Sequence, residues 1–242
     1  EYSVRELYYG NDSYDPTSAP PQRRKLVREN VTPLAKTGTR WQRIMALALL
    51  LPIAPDDVIA IAQLIVDDTT AEAGFRADAF QVLLVANGNE NAEALAIGAL
   101  THDVADIQKL AIRYLAFGGP AVASLHDGAL ILDHQLRFSS FRYNASGGEI
   151  IKIKSPNALK LEDIRPLLAA DDADVAAGAA YLAVLLGEEG ALDRLIEEWK
   201  KTNDAEVKLS QPERRLRLRR LMYRAIAFEN DAERLDVLTE IY

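Results

Sequence analysis

The sequence predicts an all-α chain, a solenoid of stacked helical hairpins, on three observations. From about Arg23 almost to the end, apolar residues recur at helical spacing, with short Gly, Asp or Pro breaks between the runs. The first large apolar residues of successive hairpins, Trp41, Phe75, Ile107, Phe141, Val175 and Val207, follow one another at steps of 34, 32, 34, 34 and 32 residues. Four residues beyond four of these anchors come Met45, Ala79, Ala111 and Ala179, and four further on Leu49, Leu83, Leu115 and Ala183, one turn along the same face. A unit of this size buries its apolar face only against its neighbours, so a near-constant step implies stacking.

Composition narrows the class. With 242 residues, 49% of them hydrophobic and 26% charged, the chain is in the globular range. A net charge of −8 works against attraction to nucleic acid or anionic lipid, although a local basic patch can override the average. There is no cysteine, which excludes disulfides, thiolate catalysis and Cys-ligated zinc and leaves the compartment open. The longest apolar run, Ile44 to Ala54, is far shorter than the ~20 residues a membrane-spanning helix needs, and Pro52, Pro55, Asp56 and Asp57 close it. The chain begins at Glu1 rather than Met, so a signal, an anchor or a further domain can precede it. Asn11, Asn30 and Asn144 each head an Asn-x-Ser/Thr sequon, read as surface-loop polarity.

In chain order, residues 1–22 contain "YYGNDSYDPTSAPPQ", rich in Pro, Ser, Asn and Asp with no apolar period, and are expected to be an irregular lead-in. Residues 23–242 are expected to form the helical domain. The stretches from Thr69, from His102 and from Asp171 to Trp199 share one plan: a polar turn, a helix with small residues at the packing position, a Gly break and a second helix. The acidic pairs Asp67-Asp68 and Asp171-Asp172, with Asp103 in the corresponding turn, read as turn and N-cap chemistry rather than a calcium loop. Trp41 and Trp199 read as core.

The segment "IRPLLAADDADVAAGAAYLAVLLGEEGALDRLIE" and the repeat step resemble the HEAT-repeat family, in particular the short HEAT-like units of bilin lyases and many bacterial proteins. The resemblance spans roughly residues 41–242. It implies a right-handed α-solenoid of about five to six hairpins whose second helices form a concave docking surface. An Arg commonly follows the anchor in such repeats; here it stands at Arg76 and Arg142, with Gln42, Gln108 and Ala176 elsewhere.

One stretch breaks the pattern. In "FRYNASGGEIIKIKSP", residues 141–156, Phe141, Arg142 and Ala145 match Phe75, Arg76 and Ala79, yet Gly147 and Gly148 end the helix and "EIIKIK" alternates with period two. Pro156 delays any return to helix until about Ala158. Because the step of 34 is unchanged on either side, the fourth rung's helix is expected to be replaced in place by an extended segment or small β-hairpin. Arg142, Tyr143, Lys152 and Lys154 make it basic and aromatic, a candidate partner contact. The plainer reading packs Ile151 and Ile153 on Phe138 and Phe141, with the lysines keeping an edge soluble.

The strongest charge run is "PERRLRLRRLMYRA", six Arg against one Glu. On a helix opened by Pro212, Leu218, Leu221, Met222 and Ala225 make a buried stripe while Arg217, Arg220 and Arg224 align on another face, able to hold phosphate or an acidic peptide. The alternative is a solvated face paired with Asp193, Glu197 and Glu198. His102, His126 and His134 are the only histidines, no His-Glu motif exists, and no cofactor, metal or catalytic signature appears. The expected function is therefore a non-enzymatic scaffold for a protein or peptide. Its rivals are a HEAT-scaffold enzyme, either bilin-lyase-like or DNA-glycosylase-like, and a structural arm of a larger multidomain protein.

Overall fold

The computed structural model describes residues 20–117, 158–202 and 212–229. They are mostly helical, with no strand among them. The helices are α1 (Pro21–Thr37), α2 (Arg40–Leu50), α3 (Pro55–Asp67), α4 (Ala73–Ala86), α5 (Gly88–Ala99), α6 (Ala105–Phe117), α7 (Leu161–Ile164) with a 3-10 turn over Arg165–Ala169, α8 (Ala173–Leu185), α9 (Ala191–Lys201) and α10 (Pro212–Glu229). The extended or β-hairpin element expected over 141–156 is not borne out by any described strand, and that stretch lies outside the described residues. Two compact units divide within α5, between Ala92 and Glu93.

In the first unit, α1 packs on α2, α3 on α4, and α2 touches both α3 and α4. A capping box starts α2: the Thr39 hydroxyl accepts from the Gln42 amide, and Gln42 Oε1 accepts from the Thr39 amide at 2.9 Å. Pro55, with its fixed φ and no N–H to leave unbonded, opens α3, and Asp56 and Asp57 follow in the first turn, where the helix dipole favours negative charge. Phe75, Ala77, Ala79, Phe80, Val82, Leu83 and Leu84 are all buried, so α4 is covered nearly all round.

The helix ends are tied by side chains. The last carbonyls of a helix have no intrahelical donor, and leaving one bare in the interior is costly. Arg43 Nε donates to Ala35 O in the last turn of α1 (3.1 Å), and its guanidinium also lies over the Phe75 ring, 4.9 Å from the centroid. The buried Arg76 Nε donates to Val66 O in the last turn of α3 (2.8 Å). In the second unit Gln108 Nε2 donates to Leu100 O just past α5 (3.2 Å).

These donors correct the register of the first rung. Trp41 is 58% exposed, and Met45 and Leu49 are only half-buried, whereas Ala46, Leu47 and Leu50 are buried. Counted from Arg43, Arg76 and Gln108, the third residue is Ala46, Ala79 or Ala111 and the seventh is Leu50, Leu83 or Leu115, all buried. The first rung therefore sits one residue later than Trp41 suggests. The bulky indole caught the eye, but at the second helical position it faces solvent. Trp199, by contrast, is fully buried as expected.

In the second unit α8 is the central helix, buried without a break from Ala177 to Leu185. Asp172 caps it, its carboxylate accepting from the amides of Asp174 (2.9 Å) and Val175 (3.2 Å). Gly187, at φ 76°, ends it: the Glu188 amide reaches back to Ala183 O and the Gly187 amide to Val184 O, both at 3.0 Å. Then α9 and α10 pack on α8 and on each other.

The face of α8 also meets α6 directly. A Cβ built on Gly178 would lie 2.6 Å from Ile112 Cγ2, so this glycine lets the two helices approach. The rung expected at Phe141 lies outside the described residues. The described chain resumes at Ala158, whose amide donates to Glu93 Oε1 on α5 (2.8 Å). Leu159, Ile164 and Leu167 then dock the short α7 segment by their buried side chains.

Gly178→Ala tests that approach. Alanine would favour the helix by about 1 kcal/mol, but forcing a methyl into a packed contact costs about 1–3 kcal/mol. Denaturant titration should show net destabilisation, and Ile112→Ala should convert the same glycine substitution into a neutral or stabilising one. A Gly178→Ala protein more stable than the parent would mean the helices do not meet there.

Candidate partner-binding surface

The expected basic face of α10 is partly turned inward. Leu218, Leu221, Met222 and Ala225 form the buried stripe as expected, with Ile226 beside them. Arg214 bridges Asp174 on α8 (3.6 Å) and Glu198 on α9 (3.5 Å), so one of the anticipated acidic partners on the preceding helix is used. Glu198 also meets Lys201. Arg224 lies against the buried Tyr181 hydroxyl of α8. Burial pulls its guanidinium below the ordinary arginine value and Tyr181 partly restores it, while burial pushes the phenol up. Arg217 and Arg220 are on the same helix, at positions i and i+3, with Arg224 at i+7. Arg142, Tyr143, Lys152 and Lys154 lie outside the described residues.

Two further cations reach from one packed helix to the start of the next. Arg40 on α2 holds Glu72 at the N-terminus of α4 (2.8 Å) and Asp78 within it (2.7 Å). Lys109 on α6 holds Asp172, the N-cap of α8 (2.7 Å), and Asp106 (3.3 Å). Burial alone would lower Lys109 and raise Asp172. Their hydrogen bond and mutual charge, with the capped amides, outweigh it, so the lysine is held above and the carboxyl below its ordinary range.

The other acidic turns divide by chemistry. Asp68 accepts from the amide (3.0 Å) and hydroxyl (2.6 Å) of Thr70, which lowers its pKa; this closes a turn rather than capping α4. Beside Asp103, His102 Nδ1 accepts from the Val104 amide (3.1 Å) and so serves the turn before α6. Among the described residues no cluster of three or more His, Asp or Glu could hold a metal ion, and no helix is long and apolar enough to cross a membrane.

Sequence reasoning passed over one surface. In α1, five basic residues, Arg23, Arg24, Lys25, Arg28 and Lys36, stand against the single acid Glu29, and Leu26 and Leu34 are among the few large apolar side chains left in solvent. The signal was present in "RRKLVRENVTPLAK", where buried-face residues Val27, Val31 and Ala35 recur every fourth position and leave both leucines off that face.

The Asp172 shift has a pH consequence. A carboxyl with a lowered folded pKa adds stability above its ordinary value, near about 3.9, and loses it as pH falls through the lower folded value. Asn also caps helices but carries no charge for Lys109. The parent should therefore melt higher than Asp172→Asn near neutral pH, and the gap between their thermal midpoints should close below about pH 4. A gap independent of pH would show that the Lys109 pairing adds nothing.

No protein-family model matches the chain, and neither the curated proteins nor the solved structures offer a match.

Proposed function

We propose that the chain is a HEAT-like right-handed α-solenoid that works without catalysis, as a scaffold holding a protein or peptide partner on its surface. The observation that carries this reading is the repeated register: a carbonyl-binding side chain, an Ala three residues on and a Leu seven residues on, at Arg43, Arg76 and Gln108. Side-by-side packing of α2 with α4, and of α6 with α8, is what successive first helices of such repeats would do. An Ala46, Ala79, Ala111 and Ala179 series suits close helix approach and supplies no reactive group.

A scaffold of this kind binds by extended contact, and its candidate contacts are Arg142, Tyr143, Lys152 and Lys154 with the α10 positions Arg217, Arg220 and Arg224. The basic residues favour an acidic partner surface. The test is affinity capture with the intact chain from its native source, beside a low-salt gel shift on single- and double-stranded DNA. Recovery of a protein partner that Arg217→Glu/Arg220→Glu weakens, with no DNA shift, is expected. A DNA shift, or bound pigment on the purified chain, would replace the scaffold with one of the enzyme readings, and recovery of no macromolecule would remove it.

A further inference from the structure

We infer that the outer face of α1 is a docking surface for an acidic, leucine- or phenylalanine-bearing segment of a protein partner. The inference rests on the scaffold reading and names one surface for it. In α1 the inward side is marked by buried Ala35 and half-buried Val27 and Val31. Leu26 is nine residues from Ala35, two and a half turns at about 3.6 residues per turn, and so points directly away from the core. It is 60% exposed and Leu34 is 47% exposed, with exposed Pro33 between them along the helix.

The outward side of an amphipathic helix is ordinarily polar. Here two leucines stand there instead, among cations. Lys25 is 76% exposed, and its ion pair with Glu29 on the same helix is long at 3.8 Å. Lys36 is also exposed. Arg28 is committed to Asp57 on α3 by two hydrogen bonds, at 2.6 and 2.9 Å, which fix the helix on its neighbour without covering the leucines. The helix carries a net +4 in a chain of net −8. Leu64 on α3 is exposed too, but α3 brings Asp56 and Asp57 and no cation; positive charge beside the two exposed leucines of α1 selects an occupant with the opposite pattern, acidic residues flanking apolar ones.

Panning a displayed library of random 16-residue peptides on the intact chain tests this. Enriched peptides should be rich in Asp, Glu, Leu and Phe, bind more weakly as salt rises, and lose at least tenfold in affinity to Leu26→Ser/Leu34→Ser and to Lys25→Glu/Lys36→Glu. All four side chains are exposed, so thermal midpoints of these variants should match the parent. Peptides without acidic residues, or peptides that bind the α1 variants as tightly as the parent, overturn the inference. So does α1-dependent binding to phosphatidylserine vesicles in place of peptides, or α1-dependent self-association in sedimentation. Peptides lost only to Arg217→Glu/Arg220→Glu would sink the α1 surface and leave the scaffold reading standing, whereas no enrichment at all would remove both.

Discussion

A helix that ends inside a protein presents carbonyls with no donor of their own, and in this chain a side chain from the following helix supplies one. Arg43, Arg76 and Gln108 each reach back to the end of the preceding helix. The bond does more than satisfy an oxygen. It fixes the rotation and height of α2, α4 and α6, because three residues after each donor an alanine must meet a neighbour closely and four residues later a leucine must fill the core. A slip of one residue would withdraw the donor and bring a larger side chain to the close contact. Arg and Gln serve alike because the requirement is an N–H at the right reach, not a charge.

That rule explains which parts of the fold were legible. Ala79, Ala111, Ala179 and the residues four beyond them were readable from sequence, since buried small-then-large spacing on one face leaves a direct mark. The first rung was misplaced by one residue because Trp41 looked like an anchor by size, while Ala46 and Leu50 carried the true spacing and Arg43 the donor. Size is a poor guide at a helix start, where a side chain has no preceding turn to lie against and can face water. The register of polar donors is the better one. With it, Ala46 to Ala79 is a step of 33 and Ala79 to Ala111 a step of 32.

Spacing alone does not say which helices meet across the middle of the chain. Ile107 and Val175 are 68 residues apart, twice a repeat step, and that invites a rung at Phe141. Yet Gly178 faces Ile112 closely enough that even a methyl would not fit. One-dimensional periodicity counts residues and is blind to the direct meeting of α6 and α8. A glycine inside an otherwise Ala-rich helix was the available hint, because in a helix interior it is tolerated chiefly where another element comes close. The candidate site was less legible still: Arg142, Tyr143, Lys152 and Lys154 lie outside the described residues, and the sign of a charge run does not say which way its side chains turn.

The two basic helices show why. In α10 the apolar stripe is broad, and arginines at its margins fall beside Asp174, Glu198 and the Tyr181 hydroxyl, so Arg214 and Arg224 have roles within the fold. In α1 only Ala35 is buried, with Arg24, Val27, Val31 and Thr32 half-buried beside it. A narrow stripe leaves more of the circumference in solvent, and whatever the sequence places there remains on the surface. Composition treats both helices as arginine-rich. Stripe width separates a helix that turns Arg214 and Arg224 toward its neighbours from one that commits Arg28 to Asp57 but leaves Lys25, Lys36 and two leucines turned outward.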